Sequence, residues 1–238
     1  MSDLLSYNTL LVLLGTSLLG IASGLIGTLA ILRRQALVGD VFAHAAFPGL
    51  CMAFLLVGER HLVMLLLGGL FSGIIGLVLV SFITRYSRIK PDAALGLVLS
   101  SFFGLGIVLS SVLQRLQTGN KAGIDSYIFG KTAGIITQDV YLIGLVALLC
   151  TLAMVLLYKE LLVVLFDMDF ALVQGWPVRR LDLAIIGLIG LIVVAGLPAV
   201  GVVMMAAMLI LPGITARFWT NHFATLLGLA ACFGALIG

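Results

Sequence analysis

Long apolar stretches alternate along the chain with short clusters of charged residues. Most apolar stretches have about the 20 residues that a helix needs to cross a bilayer. Runs such as 142–157 lack the alternation of apolar and polar residues that is typical of a membrane β-strand, and a backbone in hydrocarbon must satisfy its own hydrogen bonds. The pattern therefore predicts an all-α, polytopic transmembrane bundle that forms one domain over residues 1–238. We expect about eight spans: 8–32, 37–57, 62–84, 93–113, 138–158, 182–197, 200–217 and 222–238.

The composition excludes a water-soluble domain. Hydrophobic residues make up 62% of the 238 positions and charged residues 10%, whereas a soluble domain carries about 25% charged residues. The net charge of +3 could indicate an acidic partner. No basic patch is interleaved with aromatic residues, however, so the sequence gives no support to nucleic-acid binding.

The basic residues predict the orientation in the membrane, because cytoplasmic loops are enriched in Lys and Arg. Nine of them lie in one set of alternate connecting segments and four in the other. We expect the first set in the cytoplasm and the N-terminus outside, in a multi-pass protein of the cell (inner) membrane. The first set is Arg33, Arg34, Arg85, Arg88, Lys90, Lys159, Arg179, Arg180 and Arg217; the second is Arg60, Arg115, Lys121 and Lys131.

Glycines recur at spacings that favour close helix packing. Gly20 and Gly24 are four residues apart, as are Gly69 and Gly73, so each pair lies on one helix face. We expect these faces to contact neighbouring helices.

Two segments near the C-terminus, 196–201 and 212–213, combine glycine with proline. They are either helix breaks that line a cavity, or a tight turn followed by a proline kink. The chain is still apolar at 235–238, so we expect the natural protein to continue beyond this sequence.

The most informative polar residues within a predicted span are Asp40 and His44. Ionisable residues in a span are costly and usually face the bundle interior or a pathway. At positions i and i+4 both side chains lie on one helix face, where a carboxylate oxygen and an imidazole nitrogen could share a divalent cation. Alternatively, Asp40 accepts a hydrogen bond from His44, or the pair contacts interfacial water. Two ligands are too few for a metal site, and the other candidates are weaker: His61, His222, Met204, Met205 and Met208.

The amphipathic segment 166–182 predicts a short helix on the membrane surface that ends at Gly175 and resumes after Pro177. Ala171 and Gly175 are small and four residues apart, which would let this helix dock in a groove of a soluble partner. The alternative is an interfacial anchor with Trp176 at the level of the lipid headgroups.

Two absences limit the possible energy sources. The sequence has no glycine-rich phosphate loop, so an ATP-driven process would require a nucleotide-binding partner chain. No predicted span carries the several Asp, Glu or Arg residues that are typical of a proton-coupled pump, which argues against a secondary transporter.

Four features, in chain order, resemble the metal-ion permeases of ATP-binding-cassette importers, a family that carries manganese, zinc or iron. Two positions depart from the family pattern: Ala43 stands where serine is common, and Gly213 where alanine is usual. Neither departure removes a metal ligand. The matching features are Arg33-Arg34 with Gly39-Asp40, His44-Ala45 and Pro48-Gly49; Asp125 to Gly130; Phe166-Asp167 with Ala171 and Gly175; and residues 201–216.

The resemblance implies a permease subunit that is not itself an enzyme and holds no permanently bound cofactor. A divalent transition-metal ion would be the transported substrate, contacted by Asp40 and His44. A short cytoplasmic coupling helix would contact the ATPase. The residues implied in that contact are Phe166, Asp167, Ala171 and Gly175.

The resemblance also implies a set of partners. These are a cytoplasmic ATP-binding-cassette ATPase, an extracellular or periplasmic metal-binding protein, a second permease copy and membrane lipid, with no nucleic acid. Two other functions remain open: a secondary carrier or channel that works alone, and a permease for an iron chelate, which would need a wide apolar pathway.

Overall fold

The computed structural model describes residues 7–33, 35–58, 62–115, 130 and 135–238. Within these ranges every regular secondary-structure element is an α-helix, so the all-α prediction is confirmed for them. The helices of these ranges are α1 (Tyr7–Leu32), α2 (Ala36–Val57), α3 (Leu62–Tyr86), α4 (Pro91–Arg115), α5 (Thr137–Leu156), α6 (Tyr158–Phe166), α7 (Met168–Val173), α8 (Val178–Trp219) and α9 (Phe223–Ile237).

Six described helices, α1 to α5 and α8, are long and apolar enough to cross a membrane. The first five agree with the predicted spans to within two residues at each end. The predicted count of eight spans is not confirmed. The predicted spans 182–197 and 200–217 both lie in α8, and α9 has 15 residues where a full crossing needs about 20.

Helix α8 is interrupted at Gly201, whose φ of 79° and ψ of 171° are open to glycine but strained for other residues. Near the start of α8, Asp182 pairs with Arg33 at the end of α1, and further along Leu209 lies against Gly27. A straight helix would separate Asp182 from Leu209 by about 40 Å, whereas Gly27 and Arg33 are about 9 Å apart along α1. Helix α8 is therefore sharply bent.

Of the two segments that combine glycine with proline, 196–201 and 212–213, only the first interrupts a helix. The helix continues through Pro198 as far as Val200 and loses helical geometry at Gly201. Pro212 and Gly213 remain within the helix. The first segment thus interrupts the helix at its last glycine, Gly201, and the second segment forms no break.

The helices divide into two compact units, the first of which contains α1, α5, α6, α7, α9 and both ends of α8. In this unit α1 packs against α5 and α9. Gly20 lies against the backbone of Gly234, and Gly24 against the backbone of Ala230. A Cβ atom at either α1 position would meet main-chain atoms of α9, which confirms the predicted small-residue face of α1.

The second unit contains α2, α3, α4, Gly130 and residues 193–206 of α8. Most side chains of α2 are buried in it. The second predicted small-residue face is confirmed, because Gly73 of α3 lies directly against the ring of Phe42 on α2. Gly130 has a φ of 75° and lies against the backbone of Val200, immediately before the interruption of α8.

Candidate functional site

The polar turn of α2 consists of Asp40 and His44, which the structure places side by side as their spacing predicts. Asp40 is the fifth residue of the helix, and the two positions are one turn apart on the same face. The Nε2 atom of His44 is 3.4 Å from Oδ1 of Asp40. The side chain of His44 is 15% exposed and that of Asp40 is 29% exposed, so both can be reached from outside the packed interior of the unit.

Phe103 of α4 orients the imidazole of His44. The two rings meet edge to face, with centroids 4.8 Å apart and planes at 84°. The Nδ1 atom of His44 is buried and has no hydrogen-bond partner among the described residues. The Nε2 edge therefore faces the carboxylate, while the opposite edge is held by packing.

The separation of these two donor atoms suits a shared metal ion. A separation of 3.4 Å is long for an N–H···O hydrogen bond, which is about 2.9 Å. Two ligand atoms that are each about 2.1 Å from one metal ion, at a tetrahedral angle, are about 3.4 Å apart. No cluster of three or more His, Cys, Asp or Glu side chains that could hold a metal occurs among the described residues. The pair alone would hold a cation weakly.

Close contacts from α3 and α4 fix the position of α2 beyond the polar turn. Ser72 donates a hydrogen bond from Oγ to the carbonyl oxygen of Ala45, at 2.7 Å. A Cβ atom at Gly76 would stand 2.7 Å from the Cβ of Ala45, and Gly106 lies against the ring of Phe47. The helix stays intact through Pro48. The polar turn is therefore part of an unbroken, closely packed helix.

The predicted surface helix is α7, and both of its ends are capped; the sequence predicted the C-terminal end only. Asp167 is the N-cap residue, and its Oδ1 accepts a hydrogen bond of 2.9 Å from the amide of Phe170. At the other end Gly175 has a φ of 80°. The amide of Trp176 donates to the carbonyl of Ala171 and the amide of Gly175 to that of Leu172, which is the Schellman motif. The predicted stop at Gly175 and restart after Pro177 are confirmed.

The four residues predicted to contact a partner do not share one exposed face. The side chain of Ala171 is 0% exposed and packs in a small cluster with Val164, Val178 and Leu181. Phe166 is exposed at the end of α6, and a Cβ atom at Gly175 would meet no atom within 4 Å. The exposed apolar side chains of this segment are Phe166, Met168, Phe170, Leu172 and Val173.

The weaker metal candidates do not join the polar turn in any described contact. His222 is an exposed residue at the start of α9, Met205 and Met208 are fully buried, and Met204 is partly exposed. His61 and residues 125–129 lie outside the described residues.

Sequence reasoning missed two contacts near these sites. The ring of Phe103 is 59 positions from His44, and no local pattern links them. The ion pair between Arg33 and Asp182 joins the end of the first predicted span to the start of the sixth. The only available signal was that both lie at the ends of apolar spans.

Comparison with known proteins gives a consistent result. The sequence model of a family described as the ABC 3 transport family matches residues 6–238. The chain is 43% identical over 231 residues to the manganese transport system membrane protein MntC of Bacillus subtilis (strain 168), covering 97% of this chain and 53% of that protein. It is 42% identical over 227 residues to the zinc transport system membrane protein TroC of Treponema pallidum (strain Nichols), covering 95% and 76%.

A solved structure agrees with the sequence relatives. The chain is similar to a chain of PsaBC from Streptococcus pneumoniae in complex with Fab, with a TM-score of 0.88 and 28% identity over 99% of this chain and 82% of that one. The chain thus spans about half the length of the Bacillus relative and about three quarters or more of the other two proteins. The six long apolar helices and these similarities together indicate a multi-pass membrane protein.

Proposed function

Because the chain belongs to the ABC 3 transport family, we propose that it is the membrane-spanning permease subunit of an ATP-binding-cassette importer. Its substrate is a divalent transition-metal ion, manganese, zinc or iron, and ATP is hydrolysed on a separate chain. The names of the relatives support this substrate class, since they include a manganese and a zinc transport system. An external metal-binding protein delivers the ion, and a second permease copy completes the pathway.

The single observation that carries the proposal is the geometry of Asp40 and His44. A hard carboxylate oxygen and a borderline imidazole nitrogen, 3.4 Å apart, suit Mn²⁺, Fe²⁺ and Zn²⁺ and do not separate these ions. A site of this kind requires both side chains to be accessible, and both are partly exposed. The ion is therefore contacted by the polar turn as it passes.

The pair also has the weakness that transport requires. A site on a transport path must bind strongly enough to take up the ion and weakly enough to release it. Permanent metal sites usually fix each ligating histidine by a hydrogen bond to its other ring nitrogen. The Nδ1 of His44 has no such partner within the described part of the chain, and the described residues supply only two ligands. Both features favour release of the metal ion over permanent binding.

The surface of α7 is the part of the chain that we assign to the ATPase. Its N-cap Asp167 and the turn at Gly175 give it a defined shape, and its exposed apolar side chains would be buried by a partner. Ala171 contributes from beneath, because its small buried side chain lets α7 lie close to the cluster below it. Movement of the ATPase would reach the permease through this helix.

The proposal is tested by metal uptake in proteoliposomes that contain the assembled transporter. Asp40→Asn removes the charge of the carboxylate, and His44→Ala removes the imidazole; each should lower uptake of labelled Mn²⁺, Zn²⁺ or Fe²⁺ to background. Asp92→Asn and His222→Ala are matched controls at exposed positions and should leave uptake unchanged. Wild-type uptake by both polar-turn variants would contradict the site assignment.

Two further conditions distinguish the importer from the other functions. Liposomes that hold this chain without an ATPase should show no uptake; flux driven by an ion gradient would instead identify a carrier or channel. Free metal ions should compete with the labelled ion, and competition by chelates alone would identify a chelate permease.

A further inference from the structure

An ion pair between Arg33 and Asp182, both partly removed from water, is a charged contact that the proposed function does not use. Arg33 Nη1 contacts Asp182 Oδ1, and the two side chains are 8% and 32% exposed. Arg33 directly follows the last residue of α1, and Asp182 is the fifth residue of α8. The pair therefore joins two helix ends within the first unit.

The desolvation of both charges makes this ion pair a weak source of stability between the two helices. Burial lowers the pKa of Arg33, although the guanidinium stays charged. Its Nη2 atom is buried without a hydrogen-bond partner among the described residues. Removing such charges from water offsets much of their attraction, and a well-packed apolar pair often gives equal or greater stability. Stability alone is thus a weak reason for an ion pair at this place.

The Asp182 side of the pair leads to α7. Asp182 follows Leu181 directly and lies one turn after Val178. Both of these residues belong to the same buried cluster as Ala171, the buried residue of α7. A displacement of α7 by a bound partner would therefore move the start of α8, and with it the carboxylate of Asp182.

The Arg33 side of the pair leads to the polar turn. The amide of Gln35 donates a hydrogen bond of 2.8 Å to the carbonyl of Ala30, which closes the end of α1 directly before α2 begins at Ala36. Asp40 is only seven residues after Arg33. Three residues separate the end of α1 from the start of α2, so we expect a shift of Arg33 to reach the first turn of α2.

We propose that Arg33 and Asp182 form a coupling strut, which transmits the movement of α7 to the start of α2 and so to the Asp40–His44 turn. We assign them as positioning residues, because the proposal places neither of them in contact with the metal ion or the ATPase. This inference rests on the proposed function. It predicts that breaking the strut separates ATP hydrolysis from metal uptake, whereas a merely structural pair would affect both only through stability.

The test compares two double variants in the assembled transporter, with metal ions transported per ATP hydrolysed as the readout. Arg33→Met with Asp182→Leu replaces the ion pair by apolar side chains and should assemble, because no unpaired charge is left buried. We expect it to hydrolyse ATP while uptake falls by roughly tenfold or more, the size of a typical coupling between sites. Arg33→Asp with Asp182→Arg restores opposite charges and should recover much of the lost uptake.

Two controls make the result specific. Asp182→Asn keeps the shape of the side chain without its charge, and should uncouple an assembled complex even if a double variant fails to assemble. Glu160→Gln changes a carboxylate with a buried Oε2 one turn before Val164, a member of the same cluster, and should leave the transport ratio unchanged. An equal loss in Glu160→Gln would overturn the strut.

The outcomes separate the strut from the proposed function. If wild-type transporter takes up metal and the apolar double variant does so with the same ratio, the strut is wrong and the proposed function stands. If the wild-type transporter shows no ATP-driven metal uptake, both are wrong.

Discussion

Helix α2 lies among close contacts from neighbouring helices, whereas α7 is a six-residue helix that is held by hydrogen-bonded caps at its two ends. On α2 most side chains are buried, and glycines of α3 and α4 let the helices approach closely. On α7 only Ala171 is buried, and Val173 is 87% exposed. The first region gains its position from packing, and the second from local backbone geometry.

This difference suits what we propose for each region. Two ligand atoms must keep a separation near 3.4 Å, and a closely packed helix limits their movement. A docking helix instead needs exposed apolar surface and a fixed shape, and six residues can have a fixed shape only when the ends are capped. Substitutions should therefore act on α2 through packing and on α7 through its caps and its one buried residue.

The largest effect is expected where the packing of α2 leaves no space. A Cβ atom at Gly49 would meet the backbone carbonyl oxygen of Gly68, and a backbone atom cannot rotate away as a side chain can. Gly49→Ala should therefore destabilise the protein by about 3 kcal/mol, as overpacking typically does. Thermal unfolding of the detergent-solubilised protein measures this change.

The matched control for Gly49 is Gly96 of α4, where an added Cβ atom would meet nothing within 4 Å. Because alanine is the better helix former, Gly96→Ala should raise stability by about 0.5–1 kcal/mol. If both alanine variants shift the unfolding temperature equally, α2 is not held by close packing.

An intermediate effect should mark the one buried position of α7. Ala171→Leu would insert three carbon atoms among Val164, Val178 and Leu181 and should cost about 2 kcal/mol. Leu172→Ala, one position further on, changes an exposed side chain and should leave stability unchanged while weakening association with the ATPase. Unfolding temperature and ATPase co-purification separate the two variants. Reduced co-purification with Ala171→Leu at unchanged stability would show that Ala171 itself contacts the partner.

Much of this architecture follows from local sequence. The length of an apolar run sets where a membrane helix begins and ends, so α1 to α5 agree closely with prediction. The pairing of Asp40 with His44 follows from a spacing of four residues, and the stop at Gly175 follows from a conformation that glycine favours.

The remainder depends on contacts that no local pattern contains. Proline at 198 suggested a break, but its φ is compatible with a helix, and the interruption falls at Gly201, where φ is positive. Ala171 was expected on a docking face, yet tertiary packing turns it inward. The contact of Phe103 with His44 and the pair of Arg33 with Asp182 join distant parts of the chain, so they require the folded structure.

The smallest expected change in stability is at Asp167, where two variants separate a capping role from a contact with the ATPase. Its carboxylate caps α7, so Asp167→Ala should cost about 1 kcal/mol and lower the unfolding temperature slightly. Asp167→Asn keeps the hydrogen-bond acceptor but removes the charge. If the role is capping, asparagine should preserve both stability and ATPase co-purification, because Asn and Asp are nearly equal N-cap residues. If the charge also contacts the ATPase, asparagine would preserve stability but weaken co-purification, and α7 would then depend on its partner through charge as well as shape.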